Sequence, residues 1–310
     1  MTRTITRTMT RTITHAAKAP NTAMQTSRTP QRLLLTTLAL VVLAMPLSSQ
    51  AQSSGGASMP SGGVKPAGSA QSASDLAAKL TNPVADLISV PLQFNSFQGL
   101  GADGKGRAYD LVFQPVVPIK LNPDWNYIVR PVVTAVTLDN VDGYSGTGLG
   151  PINIETFLSP NTNSKFIWGV GPVLTTPALS GDNFGSRQTG LGVTGVALYM
   201  NKPWTVGLLA YQTWNVGGSP VAGTTNTTFW QPFVSYVTSN AWTLTLNTQS
   251  TFNWDSRRAQ NPLNFTVSKL SKIGEVPVSY SIGAKYFATS VPGGATGWGV
   301  RAGLTFLFPN

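Results

Sequence analysis

The stretch AWTLTLNTQSTFNWD, residues 241–255, decides the fold. Trp242, Leu244, Leu246, Phe252 and Trp254 take every second place. Thr243, Thr245, Asn247, Gln249, Thr251, Asn253 and Asp255 fill the places between. Successive side chains of a strand point to opposite faces, so one edge is oily and the other wet. Thr248 and Ser250 interrupt the oily edge. Globular strands average about 5–6 residues; this one is longer, with a tryptophan near each end. The last strand repeats the pattern: Trp298, Val300, Ala302, Leu304, Phe306 and Phe308 alternate with Gly299, Arg301, Gly303, Thr305 and Leu307.

From Val90 onward the period stays at two. It predicts twelve strands, roughly 90–99, 106–119, 125–138, 148–159, 165–177, 187–200, 204–216, 226–238, 241–254, 262–272, 275–288 and 297–308. Short turn signals, such as Asn122-Pro123-Asp124, Ser159-Pro160-Asn161 and Asn201-Lys202-Pro203, alternate with longer stretches at 139–147, 178–186, 217–225 and 289–296. Short turns at one end and longer loops at the other are the habit of membrane barrels. No apolar run of helix-spanning length follows the leader, and a lipid-spanning chain must otherwise close into a barrel to satisfy its backbone. The expectation is an all-β, transmembrane, antiparallel up-and-down β-barrel of about twelve strands over 90–310. A secreted β-sandwich with aromatics in its core is the alternative.

Aromatics bear on that choice, because barrels gather them where bilayer meets water. Trp125, Tyr127, Trp168, Trp204, Trp214, Trp242, Trp254 and Trp298 all fall near inferred strand ends, which makes them a candidate girdle. Charges bear on it too. Only 10% of residues are charged, against about 25% in ordinary globular proteins. An Arg or Lys facing lipid at mid-bilayer costs about 2–4 kcal/mol, so strand charges should turn inward. Arg130 and Glu155 then face the lumen from neighbouring strands and are placed to pair. Lys285 and Arg301 line the last two strands, and Gln114 and Lys120 the second. Asn247, Gln249 and Asp255 complete the candidate lumen set. They form either a polar constriction that sorts solutes or a set of structural pairs in a filled interior.

The net charge of +10 misleads. Arg3, Arg7, Arg11, Lys18, Arg28 and Arg32 all precede one apolar run, Leu33 to Leu47, leaving fifteen basic residues against eleven acidic ones beyond it. That run is too short for a membrane helix of about 20 residues. A basic region, an apolar core, and Ser49 and Ala51 before a cut at Gln52 make a secretory signal peptide with a basic N-terminal extension over 1–51. Met24 is an alternative start. Residues 52–74, rich in Gly, Ser, Ala and Pro, read as a flexible linker. Residues 75–89 read as a short helical segment, capped by Ser74 and carrying Leu76, Leu80, Val84, Leu87 and Ile88 on one side. It either plugs the lumen or packs at a rim.

There is no cysteine, and the single histidine, His15, lies in the leader. Ser-His-Asp and Cys-His catalysis are therefore excluded from the mature chain, as are the usual zinc sets. No enzyme activity and no cofactor is expected. No basic cluster interleaves with aromatics, so no nucleic acid is expected either.

Several stretches carry a resemblance: LTNPVADLISVPLQFN at 80–95, QPVVPIKLNPDWNYIVRPVV at 114–133, WGVGPVL at 168–174, FWQPFVSY at 229–236 and TFLFP at 305–309. They resemble the outer-membrane barrel family linked to meta-pathway phenol degradation, whose members are sometimes labelled neuromedin U. The resemblance covers about 76 to 310. It implies a Gram-negative outer-membrane protein that passes hydrophobic or aromatic compounds, with outer-membrane lipids and the barrel assembly machinery as partners. It brings no catalytic residues. Barrel chains commonly finish on an aromatic, whereas here Phe308 is followed by Pro309 and Asn310.

Twelve strands lie between the filled eight-stranded barrel and the open porin of 16–18 strands. A narrow or plugged lumen for small solutes follows. The competing expectation is a structural or surface barrel without transport.

Overall fold

A computed structural model describes residues 72–219 and 223–308. The signal peptide with its cut after Ala51, the alternative start at Met24 and the linker up to residue 71 lie outside the described residues.

A short helix, α1 (Ala73–Leu80), precedes fifteen strand segments. These are β1 (Ile88–Leu100), β2 (Gly106–Phe113), β3 (Val117–Lys120), β4 (Trp125–Val141), β5 (Tyr144–Leu149), β6 (Asn153–Pro160), β7 (Phe166–Thr175) and β8 (Arg187–Asn201). Then come β9 (Trp204–Ser219), β10 (Thr227–Val237), β11 (Trp242–Thr248), β12 (Ser250–Asn253), β13 (Arg258–Ile273), β14 (Val276–Thr289) and β15 (Gly297–Phe308). Three pairs of segments, β2 with β3, β5 with β6, and β11 with β12, each make one interrupted stave. The staves number twelve, all antiparallel, each beside the next. Pairing of β15 with β1, from Ile88 opposite Phe308 to Ser96 opposite Val300, closes the cylinder.

Local chemistry explains the interruptions and turns. Pro115 and Pro151 lie in two of the breaks, where a missing N–H cannot serve the ladder. Asn122 accepts hydrogen bonds from the backbone of Asp124 and Trp125, both at 2.9 Å, and so shapes one short turn. The loop expected at 139–147 is instead a tight hairpin. Asp142 and Gly143 take φ of 49° and 79°, and β4 and β5 pair up to Val141 and Tyr144. Asp-Gly is among the sequences that make two-residue hairpins.

Directly paired residues share a face, so the registers assign every position to inside or outside. Leu246, Leu263, Phe265, Ile282 and Val300 lie on the outer face and are exposed. Asn95, Glu155, Asn264, Lys285 and Arg301 lie on the inner face and are all buried. A sandwich would reverse this, with hydrocarbon between its sheets. An apolar belt of this extent is rarely tolerated in water and suits lipid. The two hydroxyls that break the belt, Thr248 and Ser250, bond each other at 2.6 Å.

The candidate girdle residues face outward at the two ends of this belt. Trp125, Tyr127, Trp168, Trp204 and Trp242 stand at the end with the short turns, where the rings of Trp125 and Trp168 meet edge-on at 6.1 Å. Trp214, Trp254 and Trp298 stand at the other end, where Trp298 lies against Tyr286 at 4.9 Å. Lys269 is an outward charge near the short-turn end. Its ammonium sits 5.4 Å from the Trp242 ring centre and reaches the Asn240 carbonyl. This is how a lysine keeps its stem in an apolar layer and its charge at the edge.

Ile282, mid-way along β14, is 65% exposed. Ile282→Arg is expected to lower barrel stability in lipid vesicles by about 2–4 kcal/mol, read by urea titration of tryptophan fluorescence. A change within about 0.5 kcal/mol, ordinary for a water-facing position, would contradict a lipid-facing belt.

Candidate functional site: the lumen and its plug

The inner wall divides into three levels. The lowest, at the short-turn end, carries an apolar patch among buried polar residues such as Asn126, Ser159, Thr205 and Thr243. Val237, Leu270 and Leu307 turn inward there and pack against Leu76, Ala77, Ala78, Ala85 and Leu87 of the N-terminal segment. Ser72 caps α1, its hydroxyl accepting the Asp75 N–H at 3.1 Å, so the cap falls two residues before the expected Ser74. The segment then turns into the lumen. Asn82 Oδ1 accepts the Val84 N–H at 3.0 Å, and Val84 packs among Val116, Ile128, Phe157, Val196, Leu198 and Leu209. Its neighbours are inward wall residues rather than rim residues, so the segment occupies the mouth of the barrel. Thr81 donates to Thr205 across this mouth at 2.8 Å. Outside it, Asp75 pairs with Lys202. Burying side chains the size of Leu76, Val84 and Leu87 is worth about 1.5–3 kcal/mol each. Ordering the backbone costs about 1–2 kcal/mol per residue, so the net hold on the segment is small.

The middle level carries the charges. Arg130 Nη1 donates to both Glu155 oxygens at 3.0 Å, and Nη2 donates to Gln114 Oε1 at 2.8 Å. Glu155 is 2% exposed. Further round the wall, Arg301 donates to Asn95 Oδ1 at 2.8 Å and to Gln249 Oε1 at 2.6 Å. Asn95 in turn donates to Asp110. Asn264 donates to Asn247 Oδ1 at 2.8 Å. The Lys285 ammonium lies 5.0 Å and 5.7 Å from the ring centres of Phe97 and Phe287, where ring faces attract a cation. The structure thus gathers Gln114, Arg130 and Glu155 in one cluster and Gln249 and Arg301 in another. Two candidates stand apart. Lys120 is exposed at the end of β3, at the short-turn mouth. Asp255 lies beyond the end of β12, in the turn 254–257, and accepts from Asn226 at 2.8 Å. The strand ends two residues before Asp255, so extending the alternation that far placed it wrongly on the wall.

Asn95 and Asp110 are members of the middle level that the sequence reading passed over. The rule that strand charges turn inward applies to Asp110 as well as to Arg130.

The upper level, at the long-loop end, holds two hollows among the described residues. One hollow of about 570 Å³ lies between residues 99–104 and 287–296. A second, of about 400 Å³, lies inside the wall against Thr134, Asn153, Thr175, Tyr211 and Thr227.

Comparison with solved structures finds the same barrel fold. The fold is similar to that of an outer membrane channel from Pseudomonas putida F1, with a TM-score of 0.53 and 12% identity over 72% of this chain and 96% of that one. Looser similarity extends to outer membrane phospholipase A from Escherichia coli, with a TM-score of 0.39 and 12% identity over 71% of this chain and 96% of that one. It extends also to a Pseudomonas aeruginosa FadL homologue, with a TM-score of 0.33 and 12% identity over 74% of this chain and 92% of that one. No family model and no curated protein matches the sequence.

Removing one partner of a buried ion pair costs about 3–5 kcal/mol, while replacing both with apolar groups is often neutral. Glu155→Leu is therefore expected to destabilise the barrel by about that amount, and Arg130→Met added to it should recover most of the loss. Urea melts of the two variants check this.

The Lys202 ammonium, and after it Ser72, hold the Asp75 carboxyl below its usual range. A depressed carboxyl stabilises above its unfolded pKa of about 3.9 and loses that contribution as pH falls through the lower folded value. A fluorophore at Ser74→Cys should keep constant anisotropy from neutral pH down to about 4 and become more mobile below it. With Lys202→Met, that acid transition should shrink to the smaller share that Ser72 supplies.

Proposed function

We propose that the chain is an outer-membrane channel of a Gram-negative bacterium, passing small solutes passively, with residues 73–87 as its lower closure. One observation carries the reading: the mouth is blocked by a separate segment, tethered on one side to β1, rather than by the wall closing on itself. The twelve-stave diameter favours small cargo. The resemblance to the meta-pathway phenol degradation family extends the proposal to hydrophobic or aromatic compounds. The absence of histidine and cysteine beyond the leader favours a channel over a barrel enzyme.

A second reading, a structural barrel without transport, draws support from the lower lumen. Ile128 and Phe157 are fully buried there, packed as in a protein core.

Planar-bilayer recording separates the two. The mature chain is expected to give small, intermittent currents. A variant lacking residues 52–87 should give a steady unit conductance several-fold larger. Silence from both, with folded barrels in the membrane, would favour the structural reading.

A further inference from the structure

The hollow of about 400 Å³ in the upper lumen has an uncharged wall. Hydroxyls and one amide line it, beside Val136, Pro151 and Phe184, and no charged side chain does. Its size falls toward the lower end of the range of about 300–1,000 Å³ found for ligand pockets.

Some of its polar groups are already engaged. Thr175 donates to Asn153 Oδ1 at 2.7 Å, and Ser186 donates to the Gly223 carbonyl at 3.1 Å. The Tyr211 and Thr134 hydroxyls make no hydrogen bond among the described residues. The Thr225 hydroxyl, buried in the same wall, also lacks a partner. These groups are held in place. The Tyr211 ring stacks on Phe229 with centres 4.9 Å apart and planes 15° from parallel. Thr225 is fixed through its backbone, which donates to Gln188 at 3.2 Å and accepts from Thr213 at 2.6 Å.

Three ligand classes fit this wall unequally. An ion would shed part of its hydration against a lining that carries no charged side chain, a cost that a neutral solute does not bear. A pure hydrocarbon seated against the half-buried Tyr211 and Thr134 would displace water from their hydroxyls without replacing its hydrogen bonds, at a cost of up to about 1–3 kcal/mol each. A neutral ring with hydroxyl groups satisfies those donors and lays its apolar face on Val136, Pro151 and Phe184. We infer that this hollow is a binding site for neutral, hydroxyl-bearing, single-ring solutes, with Tyr211 Oη and Thr134 Oγ1 as their hydrogen-bond partners. The inference rests on the channel reading for its role in transport, but binding itself needs no flux.

Calorimetric titration of the folded, detergent-solubilised mature chain tests it with four probes: resorcinol, methyl glucoside, benzoate and toluene. Resorcinol or methyl glucoside should bind at one site per chain, and benzoate and toluene at least tenfold more weakly. Binding of resorcinol alone marks an aromatic source, and of the glucoside alone a sugar source; either supports the site. Tyr211→Phe removes one hydroxyl and keeps the ring, so it should weaken the neutral probe about tenfold, as should Thr134→Val, one such bond being worth about 1.4 kcal/mol. Benzoate binding as tightly as the neutral probes, no probe binding, or unchanged affinity in Tyr211→Phe overturns the inference. Binding without bilayer current sinks the channel reading and leaves the site. Current without binding sinks the site alone.

Discussion

Hydrocarbon offers no hydrogen bonds, so every backbone N–H and C=O in a spanning sheet must find a partner within the chain. Pairing of β1 with β15 meets that demand by leaving the cylinder without an edge. Alternation then follows. Each residue that faces out meets an apolar surrounding, and each neighbour must face in. Leu244 and Leu246 are exposed while Thr243 is buried, because closure leaves them no other arrangement.

The inner wall inherits the complementary constraint. Polar residues forced inward need partners, and a narrow barrel supplies them from across the lumen as well as along it. Arg301 joins Asn95 of β1 to Gln249 of the β11–β12 stave. Arg130 binds Glu155 on the neighbouring stave and Gln114 on the other side. Below these bonds the wall carries an apolar patch, Val237, Leu270 and Leu307, that would otherwise face water. The N-terminal segment covers it with Leu76, Val84 and Leu87. The plug and the polar belt are two answers to the same narrow interior.

Much of this was legible in the sequence because a period of two is short and local. The strand ranges, the outward tryptophans and the inward Arg130, Glu155, Lys285 and Arg301 needed only that period and the cost of a charge in lipid. Features that depend on register were not legible. Residues 139–147 look like a loop because they are rich in Gly, Ser and Asp, yet β4 and β5 reach almost to the Asp142-Gly143 turn. Whether residues 75–89 plugged the lumen or lay at a rim depended on which way Leu270 and Leu307 faced the helix, a tertiary fact. Asp255 continued the alternation on paper after the strand had ended. Tyr211 and Thr134 drew no notice, because an inward hydroxyl is ordinary in one strand and becomes a site only when several strands bring such groups together.

The central claim is that the face carrying Trp242, Leu244 and Leu246 lies in lipid while the alternate face does not. The chain has no cysteine, so nitroxide labels can be placed singly at each position from 242 to 247 in vesicle-inserted protein. Collision with oxygen, which concentrates in lipid, should peak at 242, 244 and 246 and fall at 243, 245 and 247. A flat profile, or a water-soluble nickel chelate reaching 244 and 246 as freely as oxygen does, would contradict the account.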